Sequence, residues 1–173
     1  LRQWSPCTIP SQPLALRCVS GLGVTGLSDI GSDIALWQSY RRAGDEGRLL
    51  LRLNSYADGT AQMTLIAGPG PTRWLYGDRL RLAGLMIRLD GPLSGRQAWM
   101  RAYADGAKGT PRMTDADLRN LIVRAAMENF GVAVVANGDA AVGEALSAFA
   151  DLADTYPAHK DWRIIGAAVV DDT

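Results

Sequence analysis

Residues 131–146, GVAVVANGDAAVGEAL, followed by 163–171, RIIGAAVVD, decide how this chain folds. Val132 to Ala136 is a continuous apolar run, the pattern of a parallel strand covered on both faces. Asn137-Gly138-Asp139 is turn chemistry. Asp139 then opens a helix with Val142, Leu146, Phe149 and Ala153 on one face. Pro157 stops that helix, and a further apolar strand is expected over 162–170. Strand, helix and strand in this order require a crossover, which is right-handed in nearly all known cases.

Working outward, the alternation repeats. A helical tract around Pro13 to Ser20 leads into a short strand over 23–30, ending in polar residues. Ser32 or Asp33 caps a helix through Trp37 and Tyr40 that stops near Gly44 or Gly47. A second strand is expected over 48–53, ending at Asn54-Ser55, and a short helix at about 72–80 after the break Ala67-Gly68-Pro69-Gly70-Pro71. Leu85 to Leu89 reads as the third strand, closed by Asp90-Gly91. Residues 91–113 form a long loop rich in Gly and Pro, a length usual for lids and binding loops. Thr114, with Asp117 three residues on, caps a helix bearing Leu118, Leu121, Ile122, Ala125 and Phe130. The expectation is one α/β domain over 1–173, with 1–20 as an N-terminal extension. Its parallel strands alternate with helices, in a partial TIM-like barrel or an open flavodoxin-like sheet of about five strands.

Composition narrows the partners. Hydrophobic residues make up 47% and charged residues 21%, ordinary for a globular protein. Lys plus Arg and Asp plus Glu stand at 18 each, so no global field steers nucleic acid or an anionic membrane to the chain. No apolar run approaches the length of a membrane-spanning helix. The first residues lack the pattern of a signal peptide, and the absence of an initiating Met suggests a trimmed start. A cytoplasmic location is expected. Cys7 and Cys18 could form a disulfide, but two cysteines and one histidine fall short of a four-ligand metal set.

Ligands meet parallel α/β folds at the carboxyl ends of strands. The polar residues expected there are Asp29, Asn54, Ser55, Asp90, Asn137 and Asp139. Each is also a favoured turn former or helix cap. Asp90 and Asp139 are the candidate catalytic pair, since two carboxylates in one cleft can serve as acid and base. Asp29, Asn54, Ser55 and Asn137 are candidate ligand-binding residues. His159 falls in a polar connection at the opposite end, which leaves a serine–histidine–acid triad unsupported. Gly21-Leu22-Gly23-Val24-Thr25-Gly26 fits G-x-G-x-x-G by letters, yet it precedes a strand instead of following one. Asn137-Gly138-Asp139 could present amides to an anion, or simply form a tight turn.

Four segments, in order, resemble the amidohydrolase superfamily and its YtcJ-like branch: GVTGLSDIG at 23–31, GLMIRLDGPLSGRQAWM at 84–100, VAVVANGDAAV at 132–142 and RIIGAAVVD at 163–171. The resemblance implies a TIM-like barrel and metal-dependent hydrolysis of amides or small esters. It also implies where the metal ligands should fall. The family's carboxylated lysine lands on Met86, its two later histidines on Val135 and Gly166, and the glutamate beside the second on Ile165. Its first-strand His-x-His pair and final-strand aspartate have no counterpart in this chain. Such positions offer no adequate donor set for a divalent metal. No cofactor is therefore expected, and metal binding and catalysis are expected to be lost. The alternatives are an active hydrolase, a small-molecule or anion-binding module, or an engineered scaffold. Five strands cannot close a barrel alone, so self-association through open sheet edges is expected.

Overall fold

The structure, a computed structural model, describes residues 12–157 and 161–170. Helices and strands alternate: α1 (Gln12–Gly21), β1 (Gly26–Ser32), α2 (Ile34–Asp45), β2 (Arg52–Asp58), α3 (Gly59–Ala67), β3 (Leu80–Arg88), α4 (Asp115–Met127), β4 (Gly131–Ala136), α5 (Asp139–Ala153) and β5 (Trp162–Gly166). The five strands form one sheet in the order β1-β2-β3-β4-β5, and every neighbouring pair is parallel. Sequential parallel order with right-handed crossovers places all the helices on one face, and the sheet curls away from them. A flavodoxin-like sheet would run 2-1-3-4-5 instead.

The curl can be measured across the concave face. The Arg163 guanidinium, on β5, lies 5.1 Å from the centre of the Tyr56 ring on β2. In a flat sheet, strands separated by two others stand roughly 14 Å apart, at ~4.8 Å per step. The molecule is therefore a partial barrel, and the open-sheet alternative is excluded.

Sequence periodicity explains the two faces. On β3, Leu80 and Leu82 face the helices, and so do Leu85, Ile87 and Leu89; the period of two slips by one residue between them. That slip coincides with a register shift, Ser55 pairing with Leu82 but Tyr56 with Gly84. The extra residue is a β-bulge, which keeps the leucines under the helices on both sides of it. Gly84 is required at this point, because a Cβ there would stand 2.5 Å from the Tyr56 ring. The helix-side core gathers Trp37, Leu53, Leu82, Leu85, Ile122, Phe130 and Val134, among others. The concave side holds a separate small cluster of Tyr56, Ala83, Met86 and Ala133, with Ile30, Val135 and Ile165 packed against it.

Local signals explain most helix ends. The Asp33 side chain accepts from Leu36 N at the start of α2, and Thr114 with Asp117 completes a capping box at α4. Several expectations need correction. Residues 72–80 are not helical: Leu75 and Leu80 make an antiparallel bridge, and Tyr76, Gly77 and Asp78 all have positive φ. The helix in that connection is α3, earlier than expected. Strand β2 begins at Arg52 and runs to Asp58, so Asn54 and Ser55 lie within it and not at its end. Strand β5 stops at Gly166, where Gly166 (φ 101) and Ala167 (φ 45) turn the backbone out of extended geometry. In α5 the buried side is Ala141, Val142, Ala145 and Ala148, while Leu146 is exposed. Small residues there let helix and sheet approach closely. No described helix is long and apolar enough to cross a membrane.

Candidate functional site at the carboxyl ends of the strands

Asp90 stands two residues beyond the end of β3 and is 2% exposed. Its Oδ1 accepts from Asn137 N at 2.9 Å and Asn137 Nδ2 at 3.3 Å. Its Oδ2 accepts from Gly138 N at 2.9 Å and Trp99 N at 3.0 Å. A buried carboxylate needs partners of this kind, because an unpaired charge in the interior is costly. Asp90 thus joins three segments: the end of β3, the β4–α5 turn and the 91–113 loop. Asp139 reinforces the junction, its Oδ1 accepting from Arg101 N at 2.9 Å and from Ala140 N at 2.8 Å. Asn137 adds a donor bond to Gly91 O at 3.1 Å, and its own carbonyl accepts from Val169 N at 2.9 Å.

The long loop is therefore docked across the strand ends. Ala98 is fully buried, and the Trp99 carbonyl accepts from Ala141 N at 3.3 Å. Gly138 permits this approach, since a Cβ there would stand 2.1 Å from the Trp99 carbonyl oxygen. Asp90, Asn137 and Asp139 accordingly converge, each holding backbone in place.

The other three candidates lie elsewhere. Asp29 sits within β1, where it accepts a short hydrogen bond from Ser32 Oγ. It also meets Tyr40, whose hydroxyl is held well above its ordinary pKa, first by burial and then by the Asp29 charge. Asn54 accepts from Arg81 Nε at 3.0 Å on the concave face. Ser55 is buried, with its Oγ unpartnered. His159 lies outside the described residues. A pair not anticipated from sequence, Arg88 and Asp58 at 2.6 Å, joins the ends of β3 and β2. A cavity of about 260 Å³ lies beside it, lined in part by Met86, Arg112 and Met113. Finding that pair required placing the end of β2 at Asp58.

The metal-ligand positions implied by resemblance can now be tested against the geometry. Met86 is 2% exposed and belongs, with Val135 and Ile165, to the apolar cluster on the concave face. Gly166 has φ 101, and a Cβ there would stand 2.5 Å from Asn137 Oδ1. Any side chain at 166, a histidine included, would have to displace the asparagine that braces Asp90. Among the described residues, no group of three or more His, Cys, Asp or Glu side chains could hold a metal ion. The side chains at Met86, Val135 and Gly166 themselves supply no nitrogen, oxygen or thiolate donor.

The chain is 26% identical to an uncharacterized metal-dependent hydrolase from Pyrococcus horikoshii OT3, with a TM-score of 0.79. To a second such hydrolase, from Pyrococcus furiosus, it is 28% identical with a TM-score of 0.75. Each alignment covers 92% of this chain but only 32% and 33% of those proteins, so the chain spans about a third of their length. No curated protein matches. The model of the amidohydrolase family matches residues 13–173, and with strands, bulges and loop in place the chain belongs to that family.

Proposed function

We propose that this chain is an amidohydrolase-family partial barrel that does not bind the family's metal and does not hydrolyse substrate by itself. The observation that carries this reading is the chemistry at three positions. Met86 and Val135 lie in an apolar cluster, and a side chain at Gly166 would have to displace Asn137. Without a bound cation, nothing at these strand ends lowers the pKa of water for attack on an amide or ester. Metal analysis of the purified chain, with an amide and ester substrate screen, tests the reading. The expected result is no stoichiometric metal, no turnover and an unfolding midpoint unmoved by chelator. Stoichiometric zinc, or hydrolysis that chelator abolishes, would overturn it.

Family membership and the likeness to two solved metal-dependent hydrolases favour a second reading. In it, the chain is one part of a longer, active hydrolase whose remaining parts supply the donors. Restoring zinc binding by adding the other parts in trans would support this reading over the first.

The first reading also implies association. Among the described residues, strands β1 and β5 each carry one row of backbone groups without a neighbouring strand. Sedimentation of the chain is expected to show a dimer or higher oligomer, and a clean monomer at micromolar concentration would remove this part.

A further inference from the structure

At the opposite, amino-terminal ends of the strands, the connection into β3 makes an unusual turn. Tyr76, Gly77 and Asp78 have φ of 56, 62 and 63°, three consecutive residues in the left-handed region. For tyrosine and aspartate this conformation carries strain, and such strain persists only where the surroundings impose it. Here they do. The Tyr76 ring lies so close over Gly44 that a Cβ there would stand 2.5 Å from it, and its hydroxyl donates to Asp45 Oδ1 at 2.9 Å. Arg79 N and Leu80 N both donate to Leu75 O, at 2.9 and 3.2 Å, closing the turn.

The result is a fixed position for Arg79. Cavities of about 400 and 330 Å³ lie here, both lined by Leu50 and Arg79. The larger one also takes in Arg52, Gly77 and the Thr25-Gly26 backbone. Arg52 begins β2 beside β1, its N bonded to Thr25 O at 2.9 Å, while Leu53 N bonds Arg79 O at 2.8 Å. The two arginines thus start adjacent strands. By strand alternation they share the concave face with Asn54 and Arg81. Among the described residues neither guanidinium has an ion pair or a side-chain hydrogen bond, unlike Arg88 and Arg96, which meet Asp58 and Asp105. Asp78, in the turn itself, is the neighbouring carboxylate. Leu50 is 47% exposed and offers an apolar wall.

We propose that Arg52 and Arg79 form a binding site for a small phosphate monoester, its dianionic phosphate gripped by both guanidiniums and its apolar substituent laid against Leu50. Two unpaired cations suit a dianion, and each planar fork can meet two oxygens at once. The cavity volumes are those of ordinary small-ligand sites. This site stands apart from the carboxyl ends of the strands, so its fate is independent of the metal question.

Titration of the chain with phenyl phosphate, followed by calorimetry, tests the site. Binding is expected to saturate, with inorganic phosphate weaker because it lacks the apolar part. Arg52→Ala and Arg79→Ala are each expected to weaken phenyl phosphate by about tenfold or more, the scale of one charge-assisted pair. Arg52→Lys, which keeps the charge but not the fork, falls between, and Asp78→Asn tightens binding. Thermal unfolding of each variant without ligand separates loss of the site from loss of the fold. Absence of saturation up to roughly 10 mM, a range that still detects the weakest specific binding, would overturn the proposal. So would equal affinity in both folded alanine variants.

Discussion

The two faces of the sheet are built differently. Under the helices, Leu53, Leu82, Leu85, Phe130 and Val134 pack as a continuous apolar layer beneath α2 to α5. The concave face has only Tyr56, Ala83, Met86 and Ala133 at its centre, finished by the Arg163 guanidinium lying over Tyr56. One face is filled by other elements, and the other is closed by its own side chains. Most of the buried apolar surface, and with it most of the hydrophobic stabilisation, therefore belongs to the helix side. Substitutions on the concave side alter chemistry at comparatively small cost to the fold.

Four substitutions probe that asymmetry. Phe130→Ala, in the helix-side core, is expected to cost about 3–5 kcal/mol by urea unfolding. A loss below about 1 kcal/mol would show that the two faces are equivalent. Asp90→Ala leaves the amides of Trp99, Asn137 and Gly138 without their acceptor and is expected to cost about 3 kcal/mol. It should also release the 91–113 loop to limited proteolysis, whereas an uncut loop would mean that its other bonds suffice. Gly166→Ala forces a side chain toward Asn137 and is expected to cost about 2 kcal/mol. Unchanged stability would mean that Asn137 can move and that a ligand could be rebuilt there. Arg163→Ala removes the cation over Tyr56 together with its exposed ion pair to Asp161, with an expected loss of about 1 kcal/mol. A loss as large as that of Phe130→Ala would reverse the ranking of the faces.

Where sequence reading succeeded, a local signal matched a local structure. Thr114 and Asp117 announced α4, Asp33 announced α2, and the run from Val132 to Ala136 announced β4. It failed where tertiary context decided. Asn54 and Ser55 look like a strand end, but Asn54 is held by Arg81 and the strand continues to Asp58. Helix α3 has no side-chain cap bond, and its Met63 is buried while Leu65 is exposed, so no clear stripe marks it. The turn at 76–78 needs a left-handed tyrosine, which propensity does not anticipate. At the candidate site, Asp90, Asn137 and Asp139 were legible because strand-end polar residues meet by topology. Their use of backbone amides was not, since the partner Trp99 comes from a loop without a pattern.

The bulge at Ala83-Gly84 has a consequence for how this chain tolerates change in length. It acts as a one-letter frame shift between two runs that are each written in step with the helices. Deleting Gly84 would leave the two runs in a single phase, still in step with the helices. Leu85, Ile87 and Leu89 would keep their place beneath the helices, while Ala83 would take the position opposite Tyr56 that Gly84 now holds. A lone deletion within either run, by contrast, would turn the part of the strand beyond it to the opposite face.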